Sequence, residues 1–459
     1  MGGYSMAKRE YGQEQPYIPV GIFKLRLPFI HYRVEVSELL QAILMCSTCL
    51  GAIPVLTENL GIPFELAWSM VIINGLLYTI HATWGDPVVP GWITPAIPLT
   101  LAYITGFEMG PERTQAMIAL QIMVGVIFLV MGITGMASKL LRIVPESIKA
   151  GILMGAGLAA IIGEFTPGKR FDKTPITIGL CILLSYFMLF SERFKKMRKS
   201  NFVLDKIAGF GMLPAIILAV IVGPIVGEYP VPNIDIFPII HFPDINGILQ
   251  HASIFGVGFP NIDLFIKAIP TAIVIYIIAF GDFVTTEALI GEADEIRQDE
   301  KIDFNANRSN LLSAVRNLIE GFFCAYPTLA GPLWAAVTAS VAERYKEGPD
   351  KMQSIFSGVG TFRWATFIAV TLTPVVTLVQ PILPAALSAT LVVQGFICTR
   401  LAMESCPNRL DMGICGVIGA MIVAKGASWG LATGIVLVIL LSIKDANKAK
   451  IAAEKVENE

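Results

Sequence analysis

The chain has 459 residues, of which 54% are apolar and only 15% are charged, and its mean hydropathy is +0.66. This composition excludes an ordinary soluble protein and indicates an integral membrane protein, because apolar runs near the roughly 20 residues that cross a bilayer as helix recur throughout. The formal net charge of −2 says nothing about partners, because what matters in a membrane protein is where Lys and Arg fall along the chain. No strongly basic domain is present, and no nucleic-acid partner is predicted.

The first 35 residues are polar and lack the charged start, apolar stretch and small-residue cleavage site of a signal peptide. We therefore predict a cytoplasmic N-terminal segment over 1–35. The seven cysteines are odd in number and have no zinc-ligand spacing with His. We predict that they are small buried residues, including Cys46 and Cys49, whose C-x-x-C spacing lies in an apolar helix. No metal or cofactor is predicted.

The predicted fold is an all-α polytopic membrane protein with fourteen transmembrane segments. They form two repeats of seven spans, 36–228 and 264–444, and an odd number of spans per repeat inverts the second repeat in the membrane. An extracytoplasmic connection over 229–263, which can carry short helices, separates them, and a cytoplasmic tail follows over 445–459. The predicted spans are 36–58, 64–84, 87–106, 114–136, 144–165, 174–192, 204–228, 264–290, 309–325, 326–343, 354–379, 384–403, 410–425 and 428–444.

Basic residues set the predicted orientation. Most of the 34 Lys and Arg fall on the same side as the basic run from Glu192 to Lys199, which follows the sixth span. Cytoplasmic loops of membrane proteins carry an excess of these residues. We therefore predict that both termini are cytoplasmic and that the protein lies in the cell (inner) membrane.

Two stretches, from Asp86 to Pro98 and from Tyr326 to Val337, lie in the third and tenth spans but are too rich in Pro and Gly for continuous helices. Backbone without helical pairing cannot face lipid, so such breaks must be buried in protein or line a polar cavity. A matched pair, one in each half of the chain, is typical of the binding site of a secondary transporter. Two kinked structural helices are the alternative interpretation.

Each break predicts a short extended strand and then a half-helix, which starts near Thr94 or Pro95 in the third span and near Pro332 in the tenth. Proline suits a first helical turn because its missing N–H would be unpaired there. The two N-termini, each with roughly half a positive charge, favour an anion or the carbonyl oxygens of a planar ring. The predicted substrate contacts are Thr94, Pro95, Ala96, Gly331, Pro332, Leu333 and Trp334.

The eighth span carries two carboxylates and two hydroxyls in an apolar helix, and ionisable residues at such depth are functional candidates by default. Asp282 is the deeper carboxylate, and Glu287 lies nearer the cytoplasm. Either can bind a coupling proton, or they can form a Na⁺ site with Thr285 and Thr286. A helix-end charge is the alternative for Glu287.

Further polar and aromatic residues have two interpretations each. Ser47 and Thr48 can reach the substrate or bond their own backbone, and Phe283, like Trp334, can stack on a planar substrate or fill the core. His81 is predicted at the inner membrane interface rather than in a proton relay. Arg316 and Glu320 lie one helical turn apart, which predicts a structural ion pair rather than a substrate clamp.

Several short motifs resemble known transporter families. The stretch from Arg142 to Leu158 resembles the fifth-helix region of xanthine/uracil permeases. Gly281-Asp-Phe, Ala288-Leu-Ile-Gly291, Asn307-Arg308 and Glu320-Gly321 resemble the eighth and ninth helices of the nucleobase-ascorbate transporters in that family. The sulfate-permease family shares the architecture, and the stretch from Asn310 to Asn317, followed by Gly321-Phe-Phe, is similar to it.

The resemblance implies a core domain, about 36–136 plus 264–379, that moves against a gate domain, about 144–228 plus 384–444. It also implies that substrate lies between the third and tenth half-helices and touches the eighth helix. Two positions depart from the nucleobase-ascorbate pattern. Ile278 stands where an acidic residue is expected, and the tenth helix start, Gly331 to Thr338, contains no Asn or Gln.

The sequence thus predicts a secondary active transporter, an H⁺ or Na⁺ symporter of a small organic solute that is anionic or planar with carbonyl groups, such as a nucleobase-like or carboxylate compound. An inorganic-anion carrier of the sulfate-permease type is the alternative, followed by a passive anion channel. Asp282 favours coupled transport, because a carboxylate near an anion site needs a cation. An enzyme is not predicted, since no nucleophile elbow or phosphate loop is found. The expected partners are the substrate, the coupling ion and the bilayer, and a homodimer is left open.

Overall fold

The computed structural model describes residues 9–137, 144–201, 203, 204, 207 and 212–456, with side chains described up to 441. Part of the predicted span 204–228 therefore lies outside the described residues. The first half of the chain contains β1 (Ile18–Val20), β2 (Phe23–Leu25), α1 (Val36–Leu50), α2 (Ala52–Leu60), α3 (Phe64–Thr83), β3 (Gly91–Trp92), α4 (Ile97–Ile104), α5 (Pro111–Thr134), α6 (Glu146–Phe165), α7 (Arg170–Lys173), α8 (Pro175–Phe190), α9 (Glu192–Ser200) and α10 (Leu213–Ile225).

The second half begins with two short helices in the predicted connection, as expected from the sequence. Its elements are α11 (Ile245–His251), α12 (Ile254–Val257), α13 (Ile262–Ile296), α14 (Ala306–Phe323), β4 (Ala330–Gly331), α15 (Ala335–Lys346), α16 (Ile355–Thr371), α17 (Thr373–Val379), α18 (Leu383–Glu404), α19 (Arg409–Lys425) and α20 (Ala427–Val456). A 3₁₀ turn, Thr94–Ala96, leads into α4, and a second one, Gln380–Ile382, leads into α18.

The helices confirm a polytopic membrane protein, and each predicted span overlaps a helix. Within the described residues, six helical segments are long and apolar enough to cross a membrane, or seven if α8 and α9, which meet at a 66° bend, form one span. Three shorter apolar helices are Thr94–Ile104, Leu213–Ile225 and Ala427–Leu441. The count of fourteen crossings stays a prediction.

The helices pack as two sets. In one set, α5 packs against α13 and α14, while α1 and α3 pack against α16. In the other set, α6 packs against α18 and α19, and α8 packs against α10 and α18. The sets meet where α18 contacts α2 and the Thr94–Ala96 turn, and where α6 contacts α4. The interface between the two sets therefore runs past the broken third span.

The N-terminal segment is folded onto the first set of helices. Strands β1 and β2 form an antiparallel hairpin. Before this hairpin, the Arg9 guanidinium donates to the Asp299 carboxylate at 2.6 Å, just beyond the end of α13. Arg297 also donates to Asp299, at 2.7 Å, and this hydrogen bond, together with the charge of Arg9, holds the pKa of Asp299 below its ordinary value.

This pKa shift predicts how the attachment of the N-terminal segment depends on pH. A carboxylate with a lowered pKa stabilises the folded state above its unfolded pKa of about 4, and that contribution is lost as the pH falls through the lower folded value. We expect limited proteolysis near Arg9 to be slow from pH 5 to pH 8 and faster at acid pH. Asp299→Asn should make it fast at neutral pH too, whereas unchanged cleavage would contradict the anchoring role.

The predicted orientation can be tested with single cysteines, since all seven native cysteines are free and buried, as expected, and give little background. We expect a membrane-impermeant maleimide on intact cells to label a cysteine at Asn246, in the connection, and not one at Ser200. Both positions are exposed. The opposite labelling pattern would reverse the orientation.

Candidate functional site

The two broken spans are joined to each other by backbone hydrogen bonds. Strands β3 and β4 pair antiparallel, with Gly91 opposite Gly331 and Trp92 opposite Ala330. The Trp334 N–H donates to the Val89 carbonyl at 2.7 Å, which extends the contact beyond the strands. Each break thereby satisfies backbone groups of the other, as extended backbone within a membrane requires.

Helix α14 supplies the remaining partners of the crossing strands. The Asn317 side chain accepts from the Ala330 N–H at 3.0 Å and donates to the Ala330 carbonyl at 2.8 Å, in the manner of another strand. The Arg316 guanidinium donates to the Gly331 carbonyl at 2.9 Å and to the Gly91 carbonyl at 3.4 Å. One helix therefore holds both strands in place.

The predicted ion pair between Arg316 and Glu320 is wrong within the described residues, since no such pair lies within 4.0 Å. Arg316 is occupied by the strand carbonyls. Glu320 accepts from the Asn74 amide and, at 2.8 Å, from the Gln121 amide. Both charged side chains are fully buried, and each bonds to residues outside its own helix instead of to the other.

The His81 side chain, predicted at the inner membrane interface, is fully buried in the protein, and its depth in the membrane stays a prediction. Its Nδ1 lies 2.7 Å from Oδ2 of Asp86, which also accepts from the Ser309 hydroxyl at 2.6 Å. On the other side of the ring, Nε2 lies 3.3 Å from Nη1 of Arg316. His81 and Asp86 thus belong to the polar network behind the crossing strands.

Both half-helices start without a side-chain cap. In the third span the Thr94–Ala96 turn starts where predicted, whereas in the tenth span α15 starts at Ala335, one turn after the predicted Pro332. The later start follows from the strand pairing, which holds Gly331 and the Trp334 N–H. In the third span the Ala96 and Ile97 N–H groups already donate to the Ile93 and Thr94 carbonyls, and Pro95 and Pro98 have no N–H. Free N–H groups that can bind an acceptor are therefore expected mainly at the first turn of α15.

A small cavity of about 10 Å³ touches the crossing strands at Trp92. This is room for about one water molecule. Its walls come from both helix sets and carry hydroxyl groups but no charged side chain. The lining residues are Ser47, Thr48, Gly51, Trp92, Ile216, Ala386, Leu387 and Thr390.

Of the predicted substrate contacts, Ser47 and Thr48 line this cavity, and Ser47 also donates to its own backbone at the Leu44 carbonyl, 3.4 Å away. Thr94, Pro95 and Trp334 are half-buried. Phe283 lies elsewhere, buried against Phe128 and Phe280. The others, Ala96, Gly331, Pro332 and Leu333, are buried at the half-helix starts.

The predicted coupling residues on α13 have different surroundings. Asp282 is half-buried and makes no hydrogen bond or ion pair with any residue that the structure describes. Thr286 is buried, whereas Thr285 is exposed and donates to the Gly281 carbonyl at 2.9 Å. Glu287 is exposed, but α13 continues nine residues beyond it to Ile296, so it does not lie at the helix end. No cluster of three His, Cys, Asp or Glu that could hold a metal occurs among the described residues.

Sequence reasoning missed Arg363, which lies in α16 and is fully buried. Its guanidinium carbon is 4.1 Å from the ring centre of Tyr78 and 5.2 Å from that of Trp334. A lone arginine inside the apolar span 354–379 is the same signal that singled out Asp282. Applying it evenly along the chain would have found Arg363.

No protein-family model and no curated protein matches the sequence. Solved structures do match. The transmembrane domain of a cyanobacterium bicarbonate transporter, BicA, gives a TM-score of 0.52 at 15% identity and covers 87% of this chain and 96% of that one. An SLC26A9 structure gives 0.54 at 14% identity and covers 89% and 65% of the two chains. The murine Slc26a9 anion transporter in the inward-facing state gives 0.51 at 13% identity and covers 90% and 69%.

These matches show that the chain shares its fold with the membrane domain of BicA and with the SLC26A9 structures. They give no support to the xanthine/uracil permease family or to a nucleobase substrate.

Proposed function

We propose that this protein is a secondary transporter of a small inorganic anion. The observation that carries the proposal is the pairing of β3 with β4, which brings two uncapped half-helix starts to one crossing point. A helix N-terminus favours negative charge through its dipole and its free N–H groups, and here the free groups are those of the first turn of α15. The alternative that the sequence left open, an inorganic-anion carrier, thereby becomes the preferred interpretation.

The chemistry around the crossing supports an anion over a nucleobase. Of the hydroxyls that line the cavity beside Trp92, Ser47 donates to the Leu44 carbonyl at 3.4 Å and Thr390 to the Ala386 carbonyl at 2.8 Å. The Thr48 hydroxyl has no partner among the described residues and can donate to an anion. No carboxylate lines the cavity, so nothing there repels negative charge. The named structural neighbours include a bicarbonate transporter and an anion transporter, which supports the same class of substrate.

Transport follows from movement of one helix set against the other. The cavity walls come from α1 and β3 on one side and from α10 and α18 on the other. Sliding of the core set (36–136 plus 264–379) past the gate set (144–228 plus 384–444) would open the cavity to each face in turn. Asp282, which has no hydrogen bond or ion pair with any described residue, would hold the H⁺ or Na⁺ that moves with the anion.

Uptake into proteoliposomes tests the proposal. We expect the purified protein to accumulate labelled bicarbonate, nitrate, chloride or sulfate when an inward H⁺ or Na⁺ gradient is imposed, and protein-free liposomes to show none. Uracil and hypoxanthine serve as competitors and should leave the anion flux unchanged. Nucleobase uptake without any anion flux would reject the proposal and restore the organic-solute interpretation.

A further inference from the structure

Arg363 is a fully buried charge whose donors are unused. Its Nε, Nη1 and Nη2 atoms are all buried without a hydrogen-bond partner in the described part of the chain. The titratable groups that act on it are the Cys49 thiol, whose sulfur can serve it only as a weak acceptor, the Tyr78 phenol and the guanidinium of Arg316, and none of these is a carboxylate. A buried charge without a partner is strongly unfavourable, so a permanent lack of any acceptor would be difficult to sustain.

The other fully buried arginines are different. Arg26 donates to the Gln15 carbonyl at 2.9 Å, Arg308 to the Asp303 carboxylate at 3.1 Å, and Arg316 to the Gly331 carbonyl at 2.9 Å. Each of them therefore has at least one protein acceptor for its charge. Among the described residues Arg363 makes no hydrogen bond to an oxygen acceptor, and its neighbours are the weakly accepting Cys49 sulfur and the rings of Tyr78 and Trp334.

The second observation is where this guanidinium lies. Arg363 is beside Trp334, the residue immediately before α15, and α15 starts without a side-chain cap. The following residues, Ala335 and Ala336, are exposed, so the first turn of the helix is accessible. A buried guanidinium and a free helix N-terminus thus flank the same aromatic ring, and both favour negative charge.

We propose that Arg363 and the N-terminus of α15 together bind the anion, and that they select a planar monovalent oxyanion such as nitrate or bicarbonate. A guanidinium donates two parallel N–H groups, which match two oxygens of a planar oxyanion but cannot both bond well to one spherical halide. One free guanidinium charge with a partial helix charge suits a monovalent ion better than a divalent one. The inference deepens the proposed function and rests on it for the role in transport, although the binding can be measured alone.

The test is anion binding by the purified protein in a gluconate buffer, measured as the shift in thermal unfolding temperature with nitrate, chloride or sulfate. We expect nitrate to give the largest shift for the unsubstituted protein. Arg363→Met should remove that shift, and Arg363→Lys, which keeps the charge but loses the two parallel N–H groups, should weaken nitrate binding at least about tenfold, the equivalent of one charge-assisted hydrogen bond. Arg363→Lys should weaken chloride binding less than it weakens nitrate binding.

Controls separate binding from folding and from transport. Arg400→Gln removes a charge that forms a surface pair with Glu404 and should leave the nitrate shift intact. Without added anion, Arg363→Met should unfold no earlier than the unsubstituted protein, because an unpaired buried charge has been removed; if it does not fold, the lysine variant decides. The inference would be overturned if both variants bound nitrate with unchanged affinity. If only the lysine variant folds, unchanged nitrate affinity in that variant would overturn it. Normal binding without any anion flux would instead reject the transport function alone.

Discussion

A single methyl group added at Gly331 is expected to remove most of the transport activity. In the pairing of β3 with β4, a β-carbon on Gly331 would lie 2.8 Å from both the carbonyl carbon and the oxygen of Trp92. Gly91, opposite it, is equally constrained, since its β-carbon would lie 2.8 Å from the Leu333 carbonyl oxygen. These neighbours are backbone atoms, which cannot rotate away as a side chain can. Gly331→Ala must therefore separate the strands and move the half-helix starts.

The measurement is anion uptake into proteoliposomes, together with the thermal unfolding temperature. Overpacking of this kind typically costs about 1–3 kcal/mol, so we expect Gly331→Ala to fold with reduced stability and to lose most of its flux. Gly416→Ala is the matched control, because a β-carbon there, on α19, meets no atom within 4 Å. Normal flux through Gly331→Ala would show that the strand crossing does not form the transport site.

The second large effect is expected from Asp282→Asn, which should abolish cation-driven accumulation while leaving the fold intact. The amide keeps the shape of the carboxylate but can neither gain and lose a proton nor supply a full charge to Na⁺. Because Asp282 has no hydrogen bond or ion pair among the described residues, no structural contact is broken. Anion exchange without a cation gradient can survive.

The same proteoliposomes with an imposed H⁺ or Na⁺ gradient measure this effect. Glu287→Gln is the control, since Glu287 is exposed and its loss should reduce uptake little. Undiminished concentrative uptake by Asp282→Asn would rule out its coupling role. Downhill flux that persists in that case would favour a passive channel on the same fold.

The broken spans could be predicted because their signal is local. Pro and Gly in an apolar run conflict with a continuous helix wherever they occur, so Pro95 and Gly331 marked the breaks without knowledge of the rest of the chain. The short extended segments predicted at the two breaks are present in the structure, where they pair with each other as the antiparallel strands β3 and β4. The start of α15 was placed too early, because only the partner strand shows that Gly331 and Trp334 are already engaged.

The polar network behind the strands could not be predicted in the same way. The spacing of Arg316 and Glu320 fits a helical ion pair, but a buried guanidinium takes the acceptors that its tertiary neighbours offer, here the carbonyls of Gly331 and Gly91. His81 looked interfacial because its partner, Asp86, bonds it only when the chain turns back after α3. Local rules cannot choose between a near partner and a distant one.

The gate side of the cavity was missed for a different reason. Ile216, Ala386 and Leu387 are ordinary apolar residues, and nothing in the sequence distinguishes them from residues that face lipid. Only the packing of α10 and α18 against the first set of helices brings them to the crossing. Polar residues such as Thr48 can be proposed as site residues from the sequence, whereas the apolar residues that line the rest of the cavity cannot.

The most direct test of the central claim is protection of a cysteine placed at Thr48, which lines the cavity beside the crossing strands. The rate at which a small thiol reagent modifies Thr48→Cys is measured in proteoliposomes as the transported anion is raised, with a cysteine at Asn246 as the remote control. Binding of the anion at the crossing predicts that labelling at position 48 slows, with the same midpoint as transport, while labelling at position 246 does not change. A labelling rate at position 48 that is independent of a saturating transported anion would contradict the account.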